Sequence, residues 1–166
     1  LIPQEGEKIV EHEHLAPIAV ITTPKGETVL DFGQNLTGYP AFSLPDAKAG
    51  EKLSLSFAEI LDKDGNFYNE NYRSAKCQYI YTCKDGAQSY KPYLTFYGFR
   101  YIRIDEFPAS VPFSPDDFTA IAVYSDIKKT GTLISSDKNL IKLFSNIFWG
   151  QKCNFLDVPT DCPQRD

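Results

Sequence analysis

The run KLSLSFAE, in the first half of the chain, alternates apolar and polar side chains with a period of two. On a β-strand this alternation would place Leu53, Leu55 and Phe57 on one face, and Ser54 and Ser56 on the other. Such a pattern is typical of an antiparallel sheet that is buried on one side and solvated on the other. The run therefore predicts a strand with exposed serines, and it is the clearest strand signal in the chain.

Further runs rich in β-branched and aromatic residues occur at regular spacing, and turn signals of Gly, Pro or Asp separate them. Short strands with this spacing predict a mainly β fold, an antiparallel β-sandwich of the jelly-roll or concanavalin-like kind. The densest aromatic run contains Gly98, which predicts a bulge or a close approach of another backbone segment. No strand–helix–strand alternation is visible, which excludes a Rossmann fold and a TIM barrel. The predicted strands cover residues 18–23, 28–33, 39–44, 52–59, 77–83, 95–104 and 118–124.

The pattern changes to that of a helix after residue 125. Ser136 with Asp137 supplies an N-cap, and the apolar residues that follow repeat at helical spacing, which predicts one C-terminal amphipathic helix that ends between residues 150 and 153. Trp149 lies off the main apolar stripe. A stripe this broad needs a partner to bury it, so we expect an exposed apolar patch and self-association. The stripe consists of Leu140, Leu143, Phe144, Ile147 and Phe148.

Composition argues against several classes of partner. The 166 residues contain 42% hydrophobic and 23% charged residues, which is typical of a globular domain with its own core. The net charge of −5 argues against binding to nucleic acid or to an anionic membrane. No apolar run is long enough to span a bilayer, and the first residues lack the basic and apolar regions of a signal peptide.

The cysteines and histidines do not form a metal-binding pattern. No two cysteines have C-x-x-C spacing, and the histidines are far away in sequence, so we predict neither a metal site nor a cofactor. Cys77 and Cys83 are an even number of residues apart and would share one face of a strand. We interpret the thiols as half-buried side chains in a reducing compartment, which predicts a cytoplasmic location. The residues concerned are His12, His14, Cys77, Cys83, Cys153 and Cys162.

The last nine residues, VPTDCPQRD, place opposed charges on a stiff loop. Their two prolines restrict the backbone, which predicts an extended turn and not a helix. Arg165 offers a planar fork of donors, and Asp161 and Asp166 offer acceptors, so the loop suits a ligand that needs several hydrogen bonds at fixed angles. The alternative interpretation is a solvated chain end with a weak surface ion pair, which composition alone favours.

A resemblance decides between these alternatives. The run TDCPQRD at residues 160–166 resembles the start of the signature of bacterial α-L-rhamnosidases of glycoside hydrolase family 78. The run DFGQN at residues 31–35, followed by Gly-Tyr, resembles the opening of that family's sandwich domain. The runs AEILDKDG at 58–65 and TFYGFRY at 95–101 are similar to further parts of the same domain. The resemblance thus covers nearly the whole chain.

The resemblance implies a division of the chain into three parts. Residues 1–17 would be an irregular lead-in segment, and residues 18–126 a β-sandwich domain. Residues 127–166 would be a connector, a helix and the first loop of a truncated (α/α)6 catalytic barrel. The chain contains no methionine and stops directly after the motif, which we interpret as the sign of an N-terminal fragment of a longer protein.

The resemblance also implies the chemistry. Family 78 enzymes remove terminal α-L-rhamnose from glycosides with inversion, which uses a general acid and a general base about 6.5–9.5 Å apart. In the family the acid follows the residue that matches Asp166, and the base lies far downstream, so we expect no catalytic residue in this chain and an inactive fragment of an active hydrolase. Asp161 and Arg165 match positions that bind rhamnose hydroxyls or hold the acid, and Asp166 matches the position beside the acid. These three are the predicted substrate-binding residues.

A second hypothesis stays open from the sequence. The chain could be a free-standing, non-catalytic β-sandwich that binds carbohydrate or a protein partner. The broad apolar face of the helix and the end of the chain at Asp166 favour the rhamnosidase hypothesis, in which the partners are rhamnose-containing glycosides.

Overall fold

The computed structural model describes residue 2 and residues 5–164. Within these residues the chain is mainly antiparallel β-structure, followed by a helix near the C-terminus, as the sequence predicts. Two short 3₁₀ turns lie at Glu70–Tyr72 and Pro115–Asp117. The helix α1 is Lys138–Cys153, and the strands are β1 (Ile9–Leu15), β2 (Ala19–Thr22), β3 (Thr28–Ala47), β4 (Lys52–Ala58), β5 (Ile60–Leu61), β6 (Phe67–Tyr68), β7 (Gln78–Thr82), β8 (Gly86–Tyr90), β9 (Tyr97–Glu106), β10 (Phe118–Ser125), β11 (Phe155–Leu156) and β12 (Val158–Pro159).

A long strand, β3, organises the main sheet. Among the described residues this sheet has eight strands, in the order β1-β10-β3-β9-β4-β7, with β2 and β8 also paired to β3. The first part of β3 pairs with β2 and β9, and its last part pairs with β10 and β8. Because β3 exchanges partners along its length, the sheet curls instead of separating into two unconnected layers. The sequence predicted two strands here, at residues 28–33 and 39–44, where the structure has one.

A bulge interrupts the pairing of β3 with β9. Asp31 pairs with Tyr101 and Leu36 pairs with Phe99, so more residues lie between the pairs on β3 than on β9. Gly33 has a φ of 74°, a left-handed conformation that glycine adopts without a Cβ penalty. The bulge turns the backbone of residues 33–35 away from the plane of the sheet.

The core fills the inside of the curl. Apolar side chains from β3, β4, β9 and β10 form one buried cluster that includes Leu55, Phe57, Phe99 and Phe118. Phe57 stacks on Tyr97 with ring centroids 4.0 Å apart, and Phe99 also contacts Phe57. Burial of such large aromatic side chains is the main source of stability in a domain of this size.

The predicted exposure of the serines in β4 is wrong. Ser54 and Ser56 are each only 5% exposed. Their face of β4 is covered by polar side chains of the neighbouring strands, because Ser56 donates a hydrogen bond to Asp105 (2.5 Å) and Ser54 accepts one from Gln78 (3.2 Å). Both faces of β4 are therefore buried. The alternation distinguishes a face that packs against apolar side chains from a face that packs against polar ones.

The predicted irregular lead-in is also wrong in part, because β1 joins the edge of the main sheet. It pairs antiparallel with β10, with a register shift between Glu11 and His14. His12 stacks on Tyr124 with ring centroids 3.7 Å apart, whereas His14 lies beside Glu11. The strand was missed because polar residues dominate it, and its pairing partner lies more than a hundred residues away in the chain.

The helix α1 begins and ends where the sequence places it. Asp137 is its N-cap and accepts hydrogen bonds from the amides of Asn139 and Leu140. Leu143 and Ile147 are 55% and 61% exposed, so the expected apolar patch is present. Trp149, which lies off that stripe, packs against the core of the sheet. Among the described residues, α1 included, no helix combines the length and the apolar character that crossing a bilayer requires.

A buried ion pair fixes the bulge of β3. The carboxylate of Asp31, 7% exposed, accepts two hydrogen bonds of 2.8 Å from the guanidinium of Arg100 and one of 2.7 Å from the amide of Gly33. Burial would raise the pKa of Asp31, but the hydrogen bonds from Arg100 and Gly33 outweigh it, and the pKa is lowered. The ionised form of Asp31 is therefore the one that stabilises the fold.

We predict that Arg100→Met lowers the free energy of unfolding by about 1–2 kcal/mol at pH 7, since it removes a charged partner that is itself partly exposed. A carboxyl with a lowered pKa contributes stability above its unfolded pKa of about 4, and that stability is lost as the pH falls through the folded pKa. Urea unfolding from pH 7 to pH 3 should therefore show a smaller acid-dependent loss for the variant than for the wild type.

The matched control is Lys63→Met, which removes an exposed ion pair with Asp64 and should change neither quantity. An acid dependence that is identical in Arg100→Met and the wild type would contradict the role given to this pair.

Candidate functional site

A cleft of about 420 Å³ lies between the bulge of β3, the helix α1 and the C-terminal residues. Its walls carry side chains of the kinds that bind sugars, namely carboxylates, amides and an indole ring. The side chains used below are Gln34, Asn35 and Glu59 from the sheet, Asn146 and Trp149 from α1, and Asp161 from the C-terminal loop.

The sheet wall of the cleft is built by hydrogen bonds around the β3 bulge. The side-chain amide of Asn35 donates to Oε1 of Glu59 (3.0 Å), and the side chain of Gln34 donates to the backbone oxygen of Asn35 (2.8 Å). Glu59 lies between the last residue of β4 and the first residue of β5, and it is partly buried. The Asp31–Arg100 pair lies at the base of the same bulge. The segments 31–35, 58–65 and 95–101 therefore meet at this wall.

The helix wall is attached to the sheet at the last turn of α1. Thr37 on β3 donates a buried hydrogen bond to the backbone oxygen of Cys153 (2.9 Å). Lys152 pairs with Glu13 on β1 and lies 4.3 Å from the centroid of the Trp149 ring. These contacts fix the rotation of α1 about its axis, and Trp149 consequently lines the cleft.

The C-terminal wall is held against the sheet by backbone contacts. A Cβ placed on Gly98 would lie 2.8 Å from the amide nitrogen of Gln164, so only glycine allows this approach. The thiol of Cys77 donates to the backbone oxygen of Gln164 (2.9 Å), and the amide of Thr160 donates to the backbone oxygen of Asn154 (2.8 Å). The close backbone approach predicted at Gly98 is confirmed.

The structure places one of the three predicted substrate-binding residues in the cleft. Asp161 lines it, at a bend that precedes a turn at residues 163–164, so the described part of this segment is not helical, as predicted. Arg165 and Asp166 lie outside the described residues. No role in a site was predicted for Asn35, Glu59 or Trp149. Asn35 lies in the run 31–35 and Glu59 in the run 58–65, and both runs resemble the rhamnosidase family. That resemblance was the signal that could have identified these two residues.

The cysteines of this region are not oxidised. Within residues 5–164, no disulfide joins any of the four cysteines. Burial raises the pKa of both Cys77 and Cys153 to about 11, so neither is a thiolate nucleophile at neutral pH. Cys77 and Cys83 flank β7 and both pack against the main core, which confirms that they share a face. Within residues 5–164, no three His, Cys, Asp or Glu side chains are grouped as a metal ion would require.

A larger hollow of about 580 Å³ lies between α1 and the connector that precedes it. Two of its three lysines have partners, because Lys129 lies over the rings of Phe144 and Phe148, and Lys152 pairs with Glu13. Asp161, the predicted substrate-binding residue that the structure describes, does not line this hollow. We therefore assign the candidate site to the smaller cleft.

Family models match both parts of the chain. The model described as bacterial alpha-L-rhamnosidase concanavalin-like domain matches residues 21–124. The model described as bacterial alpha-L-rhamnosidase 6 hairpin glycosidase domain matches residues 128–166. These matches meet near the point where the sheet ends and the connector to α1 begins.

Curated relatives and solved structures agree with the family models. An alpha-L-rhamnosidase of Alteromonas sp. (strain LOR) is 42% identical over 93% of this chain, which spans 17% of that protein. One from Formosa agariphila is 42% identical over 83% of this chain, which spans 15% of it. The chain thus spans less than one fifth of the length of these two relatives.

The fold is shared with solved rhamnosidases. The native enzyme of Aspergillus terreus has a TM-score of 0.89 at 34% identity, over 96% of this chain and 18% of that one. The Streptomyces avermitilis alpha-L-rhamnosidase complexed with L-rhamnose has a TM-score of 0.88 at 36% identity, over 96% of this chain and 15% of that one. With a family model that matches more than half of its residues, the chain belongs to the bacterial α-L-rhamnosidase concanavalin-like domain family.

Proposed function

We propose that this chain is part of an α-L-rhamnosidase, a glycoside hydrolase, and that the cleft between the sheet and α1 forms part of its sugar site. The observation that carries the proposal is the position of Asp161 in a cleft that also contains amides and an indole. The substrates are then rhamnose-containing glycosides, and a similar protein is known in complex with L-rhamnose.

The side chains of the cleft suit a deoxysugar. The carboxylate of Asp161 accepts hydrogen bonds from hydroxyl groups, and the ring of Trp149 offers an apolar surface to the C–H face of the sugar. Hydrolysis with inversion needs a general acid and a general base on opposite faces of the sugar. By the resemblance of residues 160–166, both catalytic carboxyls lie outside these 166 residues, and this chain supplies binding and positioning.

The second candidate function is a non-catalytic module that binds carbohydrate or a protein. The same cleft supports its carbohydrate form, because recognition of a sugar needs no catalytic acid. The two candidates differ in one measurable property, the hydrolysis of an aryl α-L-rhamnoside by a longer chain.

We predict that this chain extended through the next several hundred residues of its gene releases p-nitrophenol from p-nitrophenyl α-L-rhamnoside, and that the 166-residue chain does not. In the extended chain, Asp161→Asn should lower kcat/KM by about 100-fold, since it removes a charged acceptor. Asp64→Asn, at an exposed turn beside Lys63, is the control and should retain activity. Absence of hydrolysis by both wild-type chains would favour the binding module.

We predict that Gly98→Ala displaces the C-terminal wall, because the new Cβ would meet the backbone of Gln164. The backbone of Gly98 is not in the left-handed region, so this contact is the main penalty, worth roughly 1–3 kcal/mol. In the extended chain kcat/KM should fall about 10-fold or more, whereas Gly131→Ala, with open space around it, should have no effect. Equal activity of Gly98→Ala and the wild type would show that this contact does not set the geometry of the site.

The exposed face of α1 supports the further proposal that the 166-residue chain self-associates. We predict that Ile147→Glu shifts the chain toward the monomer in sedimentation equilibrium, because it places a charge in an apolar face that is otherwise exposed. Ser145→Glu, also exposed on α1, is the control and should not change the mass. A wild-type chain that is monomeric at high concentration would contradict self-association.

The unoxidised thiols of Cys77, Cys83 and Cys153 support a reducing and therefore cytoplasmic location, which we propose for the protein. Burial keeps Cys77 and Cys153 protonated, so these two thiols should react slowly with a thiol reagent until the chain unfolds.

A further inference from the structure

Glu59 is the one carboxylate of the sheet that lines the cleft, among the residues that the structure describes. It follows directly after β4, a strand that is paired on both sides, so its backbone is firmly placed. Its Oε1 accepts the hydrogen bond from Asn35, which orients the carboxylate. Within residues 5–164 no described donor hydrogen-bonds to its Oε2.

Within residues 5–164, no ion pair involves Glu59. In the same part of the chain, Arg100 pairs with Asp31, and Arg103 pairs with Glu27 and Asp105. The other titratable groups that face it are Tyr72, Cys77 and Cys153, and burial raises the pKa of each. They are therefore neutral at pH 7 and offer Glu59 no compensating positive charge.

With Oε1 bonded to Asn35, the second carboxylate oxygen of Glu59 can accept a hydrogen bond from a ligand bound in the cleft. Partly buried carboxylate oxygens are normally hydrogen-bonded, and a sugar presents hydroxyl donors. The amide of Asn35 supports Glu59 from the bulge of β3, while Trp149 and Asp161 line other walls of the cleft. A sugar ring bound between these walls would bring a hydroxyl to the sheet wall.

We propose that Glu59 is a specificity-determining residue whose carboxylate accepts a hydrogen bond from one hydroxyl of the bound sugar. The concanavalin-like domain would then contribute to substrate recognition directly, in addition to supporting the loop that carries Asp161. This inference rests on the proposed function, because it requires the cleft to be part of the sugar site. Asn35 acts through Glu59 and is a positioning residue.

The test uses the extended chain and four substrates, p-nitrophenyl α-L-rhamnoside and its 2-, 3- and 4-deoxy analogues. Glu59→Ala should lower kcat/KM on the parent rhamnoside about 10- to 100-fold. On the deoxy analogue that lacks the hydroxyl bound by Glu59, the kcat/KM of the wild type should be lower by a similar factor. On that analogue, Glu59→Ala should have the same kcat/KM as the wild type. Glu59→Gln, which keeps an acceptor oxygen, should recover part of the activity on the parent substrate.

The control is Glu70→Gln, an exposed acid in a 3₁₀ turn outside the cleft, which should behave as the wild type on all four substrates. A structural role for Glu59 would lower activity equally on every substrate, so an equal loss across the panel would overturn the inference and leave the proposed function intact. Hydrolysis of no rhamnoside by the wild-type extended chain would overturn the proposed function.

Fluorescence provides a second measurement that does not depend on turnover. Trp149 is the single tryptophan of the 166 residues and lines the cleft, so the part of the emission change in the extended chain that Trp149→Phe removes reports on occupancy. Titration of the extended chain with L-rhamnose should change the emission, and Glu59→Ala should weaken the apparent affinity about 10-fold or more. A response with the same affinity in both proteins would overturn the role of Glu59, and no response in the wild type, together with no hydrolysis, would overturn both proposals.

Discussion

The ion pair between Asp31 and Arg100 is the interaction on which the arrangement of the cleft depends. A bulge in a long strand leaves backbone groups without partners in the sheet. Here the buried carboxylate of Asp31 accepts hydrogen bonds from the guanidinium of Arg100 and from the amide of Gly33. With the bulge held at its base, the next residues leave the plane of the sheet, and the side chain of Asn35 reaches Glu59. The polar wall of the cleft therefore follows from a charge pair, Asp31 with Arg100, that does not itself line the cleft.

The contact of Gly98 with Gln164 connects this wall to the C-terminal loop. Arg100 and Gly98 lie two residues apart on β9, so one strand holds the bulge of β3 and also receives the loop. Tyr72 donates a buried hydrogen bond to the backbone oxygen of Gly98 (2.7 Å), which fixes the strand at the point of contact. A displacement of β9 would move both walls together, and their relative geometry is therefore more rigid than that of two independent loops.

Local patterns predicted the elements of the fold well and their partners poorly. The cap at Asp137 and the helical spacing gave the bounds of α1, since both signals depend on neighbouring residues. The burial of Ser54 and Ser56 was missed because it depends on Asp105 and Gln78, which lie on the adjacent strands. β1 was missed for the same reason, because its stability comes from pairing with β10 and not from its own composition.

The candidate site shows the same limit. Asp161 was singled out through a run of consecutive residues that resembles a known signature, and it lines the cleft. Glu59 and Asn35 belong to separate segments that meet only because of the bulge, and no pattern within either segment shows that contact. Trp149 received no predicted role because it lies off the apolar stripe of α1. Since it lies on a different face of the helix, it packs against the sheet while the stripe is exposed.

The two faces of α1 therefore have separable roles. The last turn is fixed to the sheet by the hydrogen bond from Thr37 and by the pair of Lys152 with Glu13, and these contacts orient Trp149. The exposed stripe, with Leu143 and Ile147, makes no part of the cleft. Burial of that stripe by a partner would change the stability of the chain. The geometry of the cleft would stay the same, because the contacts between α1 and the sheet already determine it. The concanavalin-like domain is in this sense a template on which the C-terminal loop with Asp161 is placed.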